Sequence, residues 1–143
     1  MADRVPSDHD AVETHRTAVE RVGRTPWPRI PLPEAVEAAA GDVVRVSLEG
    51  ETCHAQVQVP LGGGRDIRGA FANARLARTE GEGENRLHAW LDTVGLSAGE
   101  PVLLDAVTPG HEYGLRRPGH RVVYAATDPP PTGLADIARD LDG

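Results

Sequence analysis

Asn85–Val107 reads NRLHAWLDTVGLSAGEPVLLDAV, and it contains in order a helix, a turn and a strand. Asn85 is a good helix N-cap, because its side-chain oxygen can accept from the free amides of the first turn. Leu87, Trp90, Leu91 and Val94 follow at i, i+3, i+4 and i+7, which makes one apolar stripe facing a core. Gly95 stops the helix. Ser97 to Glu100 then turns the chain into an apolar strand over 102–107.

A weaker copy lies upstream in Arg29–Leu48, RIPLPEAVEAAAGDVVRVSL. There Pro33 suits the first position of a short helix over 34–40. Gly41-Asp42 turns the chain into a strand on which Val44, Val46 and Leu48 alternate. Glu49-Gly50 signals a hairpin, and 52–59 returns with Cys53, Ala55, Val57 and Val59 on one face and His54 toward solvent. Downstream, Pro109-Gly110 and Pro118-Gly119 turn strands over 111–116 and 121–126. Both halves thus give a helix, a Gly-acid turn, a strand, a glycine hairpin and a return strand. Their order predicts a mostly β (α+β) fold, a small pseudo-symmetric β-barrel built from two helix–strand–hairpin repeats.

The remaining segments are placed around that pair. Met1 to Val5 reads as loose, and Ser7 caps a helix over 8–22 carrying Val12, His15, Val19 and Val22. Prolines 26, 28, 31 and 33 keep 25–33 extended, with Trp27 expected to anchor that segment to the body. Residues 65–78 have mixed period; two short strands joined near Ala72-Asn73 compete with a helix over 70–78. Residues 79–84 form an acidic loop, and after DPPP (128–131) a last helix spans 134–141. The expected organisation is an N-terminal helix and linker (1–24), a barrel domain (25–127) and a C-terminal linker and helix (128–143).

Composition narrows the class. One cysteine excludes an internal disulfide framework. There is neither an apolar run of about 18 residues nor a charged-then-apolar start, so no membrane partner and a cytoplasmic location are expected. All fifteen basic residues are arginine, and 22 acids leave a net charge of −7. This acidic, lysine-free, aromatic-poor composition resembles haloarchaeal proteins, in which solvated carboxylates maintain solubility in concentrated salt; codon bias in a GC-rich genome is the competing explanation. From Leu61 to Tyr124 eight arginines balance eight acids, so the flanks carry the whole negative charge.

The run Arg29, Ile30, Leu32, Pro33 ahead of the first unit, and Trp90, Leu91, Leu96, Gly99, Glu100 ahead of the strand from Val102, resemble the DNA-binding pseudobarrel group. That group includes the plant auxin-response-factor type of DNA-binding domain and the effector-binding domain of some restriction endonucleases. The likeness covers roughly residues 29–126; the chain departs from it in lacking lysine and in being acidic. It implies a small regulatory domain that grips nucleic acid, DNA above all, with arms between strands. The positions matching those arms are Arg29 and the segment with Arg65, Arg68, Asn73, Arg75 and Arg78, where small neighbours allow close approach. Arginine can read guanine and Asn73 adenine, while Arg116 and Arg117 are expected to hold phosphate. The alternative is a regulatory barrel for a protein or small ligand, and a homodimer is compatible with either.

No catalytic constellation is present. His54, His88, His111 and His120 lack paired ligand spacing, and Gly62-Gly63-Gly64-Arg65 lacks the lysine and hydroxyl of a phosphate-binding loop. Asp66, Asp105 and His111 would need to converge in a barrel mouth to act together. No metal, cofactor or enzymatic activity is expected.

Overall fold

The alternating apolar residues of the first hairpin do face inward. The structure, a computed structural model, describes residues 3–60, 62–79 and 82–126. Its strands are β1 (Asp3–Pro6), β2 (Glu13–Ala18), β3 (Glu20–Arg21), β4 (Pro28–Leu32), β5 (Val43–Leu48), β6 (Glu51–Gln58), β7 (Arg65–Ile67), β8 (Pro101–Thr108), β9 (Glu112–Arg116) and β10 (Val123–Ala126), and its helices are α1 (Ala74–Arg78) and α2 (Arg86–Val94). Val44, Val46 and Leu48 of β5 and Cys53, Ala55 and Val57 of β6 are buried in one core with Ile30, Ile67, Val102, Leu104 and Leu115. The turn between β5 and β6 puts both Glu49 (φ 50) and Gly50 (φ 108) in the left-handed region, which matches the twist of a two-residue hairpin.

Eight strands form one sheet in the order β2-β8-β9-β5-β6-β7-β4-β3. The two ends of that order are neighbours in the chain, separated only by Val19, so the sheet curls into a nearly closed barrel. Val19 is buried, donates its amide to Glu100 (2.9 Å) and accepts from Gly99 (2.7 Å). Alongside it, the Thr17 hydroxyl donates to the Pro31 carbonyl at 2.7 Å. Helix α2 packs Leu87 and Leu91 onto the core. Asn85 caps it, accepting from Leu87 (3.2 Å) and His88 (3.4 Å), and Gly95 ends it at φ 73.

Several sequence expectations are corrected. Residues 8–22 are not a helix: β2 pairs with β8 and β3 with β4, so the stretch set apart as 1–24 supplies barrel strands. Val12 and Val19, seven apart, fit a helical stripe, but here they are buried at either end of an extended run that the open edge of β8 recruits. Ser7 caps no helix; its hydroxyl accepts from the Val122 amide at 3.0 Å. Residues 3–5, within the stretch Met1 to Val5 expected to be loose, belong to β1, which pairs with β10 in a separate two-stranded sheet. The helix over 34–40 is replaced by turns and irregular chain, and Arg65 takes the carbonyls such a helix would use internally. Residues 65–78 divide: a strand over 65–67, then α1, capped by Asn73 through a 2.9 Å bond from Leu76. The expected helix over 134–141 lies outside the described residues.

The two hairpins are therefore unequal, since only the second carries a helix. They also run in opposite senses, because β5 and β9 meet in parallel while each hairpin is antiparallel.

Tyr124 joins the β1–β10 sheet to the barrel. Its hydroxyl donates to Asp105 on β8 at 2.5 Å, and its ring occupies the space over Gly114 on β9 that a side chain there would need. Burial and the Asp105 bond together raise its pKa above the ordinary phenol value. Gly114→Ala is expected to destabilise the fold by about 1–3 kcal/mol, as overpacked cores do. A denaturant midpoint equal to wild type would refute that reading of the socket.

Candidate functional site: arginine clamps and an aromatic cleft

All but one of the arginines that pattern and resemblance single out have partners within the fold. Arg29 on β4 donates to Asp66 (3.1 Å) and Glu20 (2.7 Å), and Arg68 donates to both oxygens of Asp66 at 3.2 Å. Asp66 has no solvent exposure, so its charge is held between two guanidiniums. Arg65 binds the carbonyls of Val36 (2.7 Å), Pro33 (3.1 Å), Glu34 (3.4 Å) and Ala38. Asn73 caps α1. Arg75 pairs with Glu82 at 3.1 Å on the surface, while the exposed Arg78 makes no side-chain bond to any described residue.

The second group behaves alike. Arg116 donates to both oxygens of the fully buried Asp105 (2.7 and 3.3 Å), which also accepts from Thr14 at 2.6 Å. Arg117 grips Glu49 with a fork of two 2.9 Å bonds. Burial would raise the Glu49 pKa, but the bonds and charge of Arg117 outweigh it and hold the carboxyl below its usual value. Asp66 and Asp105 are thus each enclosed by their own arginines. Forked arginine–carboxylate pairs are strong and directional, and they leave these guanidiniums little capacity for phosphate.

A different feature stands open. Trp27, expected to be an anchor, is 58% exposed. It sits at the tip of the β3–β4 hairpin, in a turn held by the Val22 amide on the Trp27 carbonyl (2.9 Å) and the Thr25 hydroxyl on the Val22 carbonyl (2.6 Å). Its ring lies parallel to His88 of α2, with centroids 5.7 Å apart and an 8° interplanar angle. Together they border a cleft of about 450 Å³ whose walls include Val19, Arg21, Leu91, Asp92 and Leu96. Neither Arg21 nor the nearby Arg24 makes a side-chain bond to a described residue. The only sequence signal for this site was a tryptophan framed by Pro26 and Pro28, a pattern that does not reveal exposure.

His88 shapes the chemistry of the cleft. Burial lowers its pKa below the ordinary imidazole value, partly offset by the nearby Arg68 backbone, which favours the neutral ring at pH 7. Its Nε2 is shut off from solvent and lacks a hydrogen-bond partner. Among the described residues no group of three His, Cys, Asp or Glu side chains is arranged to hold a metal, and no helix is long and apolar enough to cross a membrane.

Fold and site together define a small, nearly closed β-barrel with an aromatic cleft at the junction of its ends. The chain belongs to a family of unknown function, DUF7112, whose model matches residues 1–141. No curated protein and no solved structure matches it.

The histidines also set a pH dependence. His54, His88 and His111 all have pKa values lowered from 6.5, by burial first, with the Arg45 charge adding at His54 and His111. The unfolded chain takes up protons as pH falls through 6.5, whereas the fold resists them, so stability declines with acidification below that value. Denaturant midpoints are expected to be lower at pH 5 than at pH 7.5. A His54→Gln/His111→Gln double variant should show a shallower decline; equal midpoints at both pH values in wild type would contradict the burial of neutral imidazoles.

Proposed function

We propose that this chain is a small, non-catalytic nucleic-acid-binding barrel that seats an unpaired base against Trp27. One observation carries the reading: a largely exposed indole, parallel to a neutral imidazole, on the rim of a cleft. Base stacking on an aromatic ring is worth about 1–3 kcal/mol per base and tolerates any sequence. Arg21 and Arg24 supply positive charge where the strand backbone would run. The likeness to the DNA-binding pseudobarrel group supports the nucleic-acid class, while the internal pairing of Arg29, Arg65, Arg68, Arg116 and Arg117 favours an unpaired strand over a duplex gripped by arginine arms.

Salt favours the same mode. At molar ionic strength the Debye length is about 3 Å, and release of counterions from phosphate contacts contributes little. Stacking does not depend on that attraction, which suits a composition like that of haloarchaeal proteins. The second reading, a barrel for a small ligand or protein, draws on the cleft volume, about 450 Å³, within the range of small-molecule sites.

Fluorescence anisotropy with single-stranded and duplex DNA and RNA pools, at low and molar potassium chloride, separates these readings. Single strands are expected to bind at both salts, and Trp27→Ala to weaken them at least about tenfold. Arg75→Ala/Arg78→Ala is expected to leave binding unchanged. Duplex binding lost in that arginine variant would restore an arginine face, and no binding to any pool would sink the nucleic-acid reading in favour of a small ligand or a protein.

A further inference from the structure

We infer that the cleft selects guanine, with the Asp92 carboxylate taking both donors of its Watson–Crick edge. The inference rests on the stacking reading above and adds the identity of the base. Asp92 is exposed on α2, lines the cleft, and makes no side-chain bond to a described residue. Such a carboxylate is an open pair of acceptors, reachable from solvent without any movement of the chain.

Its placement follows from the helix. Asp92 lies four residues beyond His88, and side chains at that spacing stand about 5–6 Å apart at Cβ on one face. Ala89 is exposed and also lines the cleft; its methyl group leaves room beside the Trp27–His88 pair for the edge of a flat ring. Ser97 and Ala98 add two more small residues to the lining. From β3, Arg21 brings an exposed guanidinium to the same cleft, again without a side-chain bond to a described residue. The cleft thus combines an aromatic face, paired acceptors from the helix and paired donors from the hairpin.

Guanine is the base that fits this set. Its Watson–Crick edge carries two adjacent donors, N1–H and the 2-amino group, which match the two oxygens of a carboxylate as an arginine fork does. Beside that edge lie the O6 and N7 acceptors that arginine reads. Adenine and cytosine place a bare ring nitrogen next to their amino group, so one carboxylate oxygen would meet a lone pair. Thymine and uracil place a single N–H between two carbonyl oxygens. An arginine side chain from a protein partner could also stack on Trp27 and fork onto Asp92, but the charge of Arg21 opposes it.

The test uses the full chain and short thymidine strands carrying one central guanine, adenine, cytosine or hypoxanthine, read by fluorescence anisotropy in molar potassium chloride. Wild type is expected to bind the guanine strand about tenfold more tightly than the adenine, cytosine and all-thymidine strands, the effect of a charge-assisted hydrogen bond. Hypoxanthine, which is guanine without the 2-amino group, should lose about threefold or more of that advantage. Asp92→Asn keeps the side-chain size at an exposed position but replaces one acceptor by a donor. The guanine advantage should then fall to about twofold or less, and adenine, whose edge matches an amide, should gain. A guanine advantage that survives Asp92→Asn, or equal binding of all strands by wild type, would overturn the inference; the stacking site stands in either case if Trp27→Ala still weakens binding. Free guanosine monophosphate that competes as well as the guanine strand, and stops competing in Asp92→Asn, would keep the guanine inference with a mononucleotide as the ligand. No binding of any strand or nucleotide would overturn both readings, and binding of a glycine-flanked arginine peptide in that case would assign the cleft to a protein partner.

Discussion

The bend at Val19 is the constraint on which the rest of the architecture depends. A strand that pairs with β8 before the bend and with β4 after it closes the sheet without needing another strand. The two backbone bonds that hold Val19 go to Gly99 and Glu100, in the turn that follows α2. The same junction thus closes the barrel and sets the β3–β4 hairpin beside the helix. Trp27 meets His88 because of that closure, so the cleft is a consequence of the topology.

Around this junction, two carboxylates with no solvent exposure fix which strands belong together. Asp66 ties β4 to the chain after β7 through Arg29 and Arg68, and Asp105 ties β8 to β2, β9 and β10 through Thr14, Arg116 and Tyr124. Removing ions from water costs as much as such pairs regain, so they contribute little net stability. Breaking one is another matter, since an orphaned buried charge costs about 3–5 kcal/mol. Their effect is to penalise every other strand arrangement. Lysine, a compact point charge, cannot serve two carboxylate oxygens as the planar guanidinium of Arg116 does.

What could be read from the sequence was what local chemistry determines. Asn85 and Gly95 bound α2 because capping and left-handed geometry act within a few residues, and Glu49-Gly50 marks its hairpin for the same reason. Residues 8–22 read locally as a helix because valines at 12, 19 and 22 satisfy a helical stripe, and only the unfilled edge of β8, whose register pairs Glu13 with Ala106 and Ala18 with Pro101, decides for a strand. The partners of the arginines are hidden for a related reason. Asp66 lies 37 residues from Arg29, and Glu49 lies 68 from Arg117, so their pairing is invisible until the strands are in register. An anchoring role for Trp27 follows from the usual burial of tryptophan, and nothing in TPWPRIP tells a tip from a clasp.

These assignments change what the charge pattern means. A middle segment neutralised by arginine resembles an anion-binding surface when read along the chain, but in three dimensions half of its eight arginines, Arg65, Arg68, Arg116 and Arg117, are engaged by carboxylates and carbonyls of the fold. The acids that remain exposed repel phosphate at long range, and at low salt an acidic barrel gains nothing from electrostatic steering. Any affinity for a nucleic acid must then come from contacts that act only at touching distance, such as aromatic stacking and a hydrogen bond sheltered from water. The exposed indole of Trp27 is the place among the described residues that can offer the first of these, and stacking is least weakened where salt has already screened the repulsion.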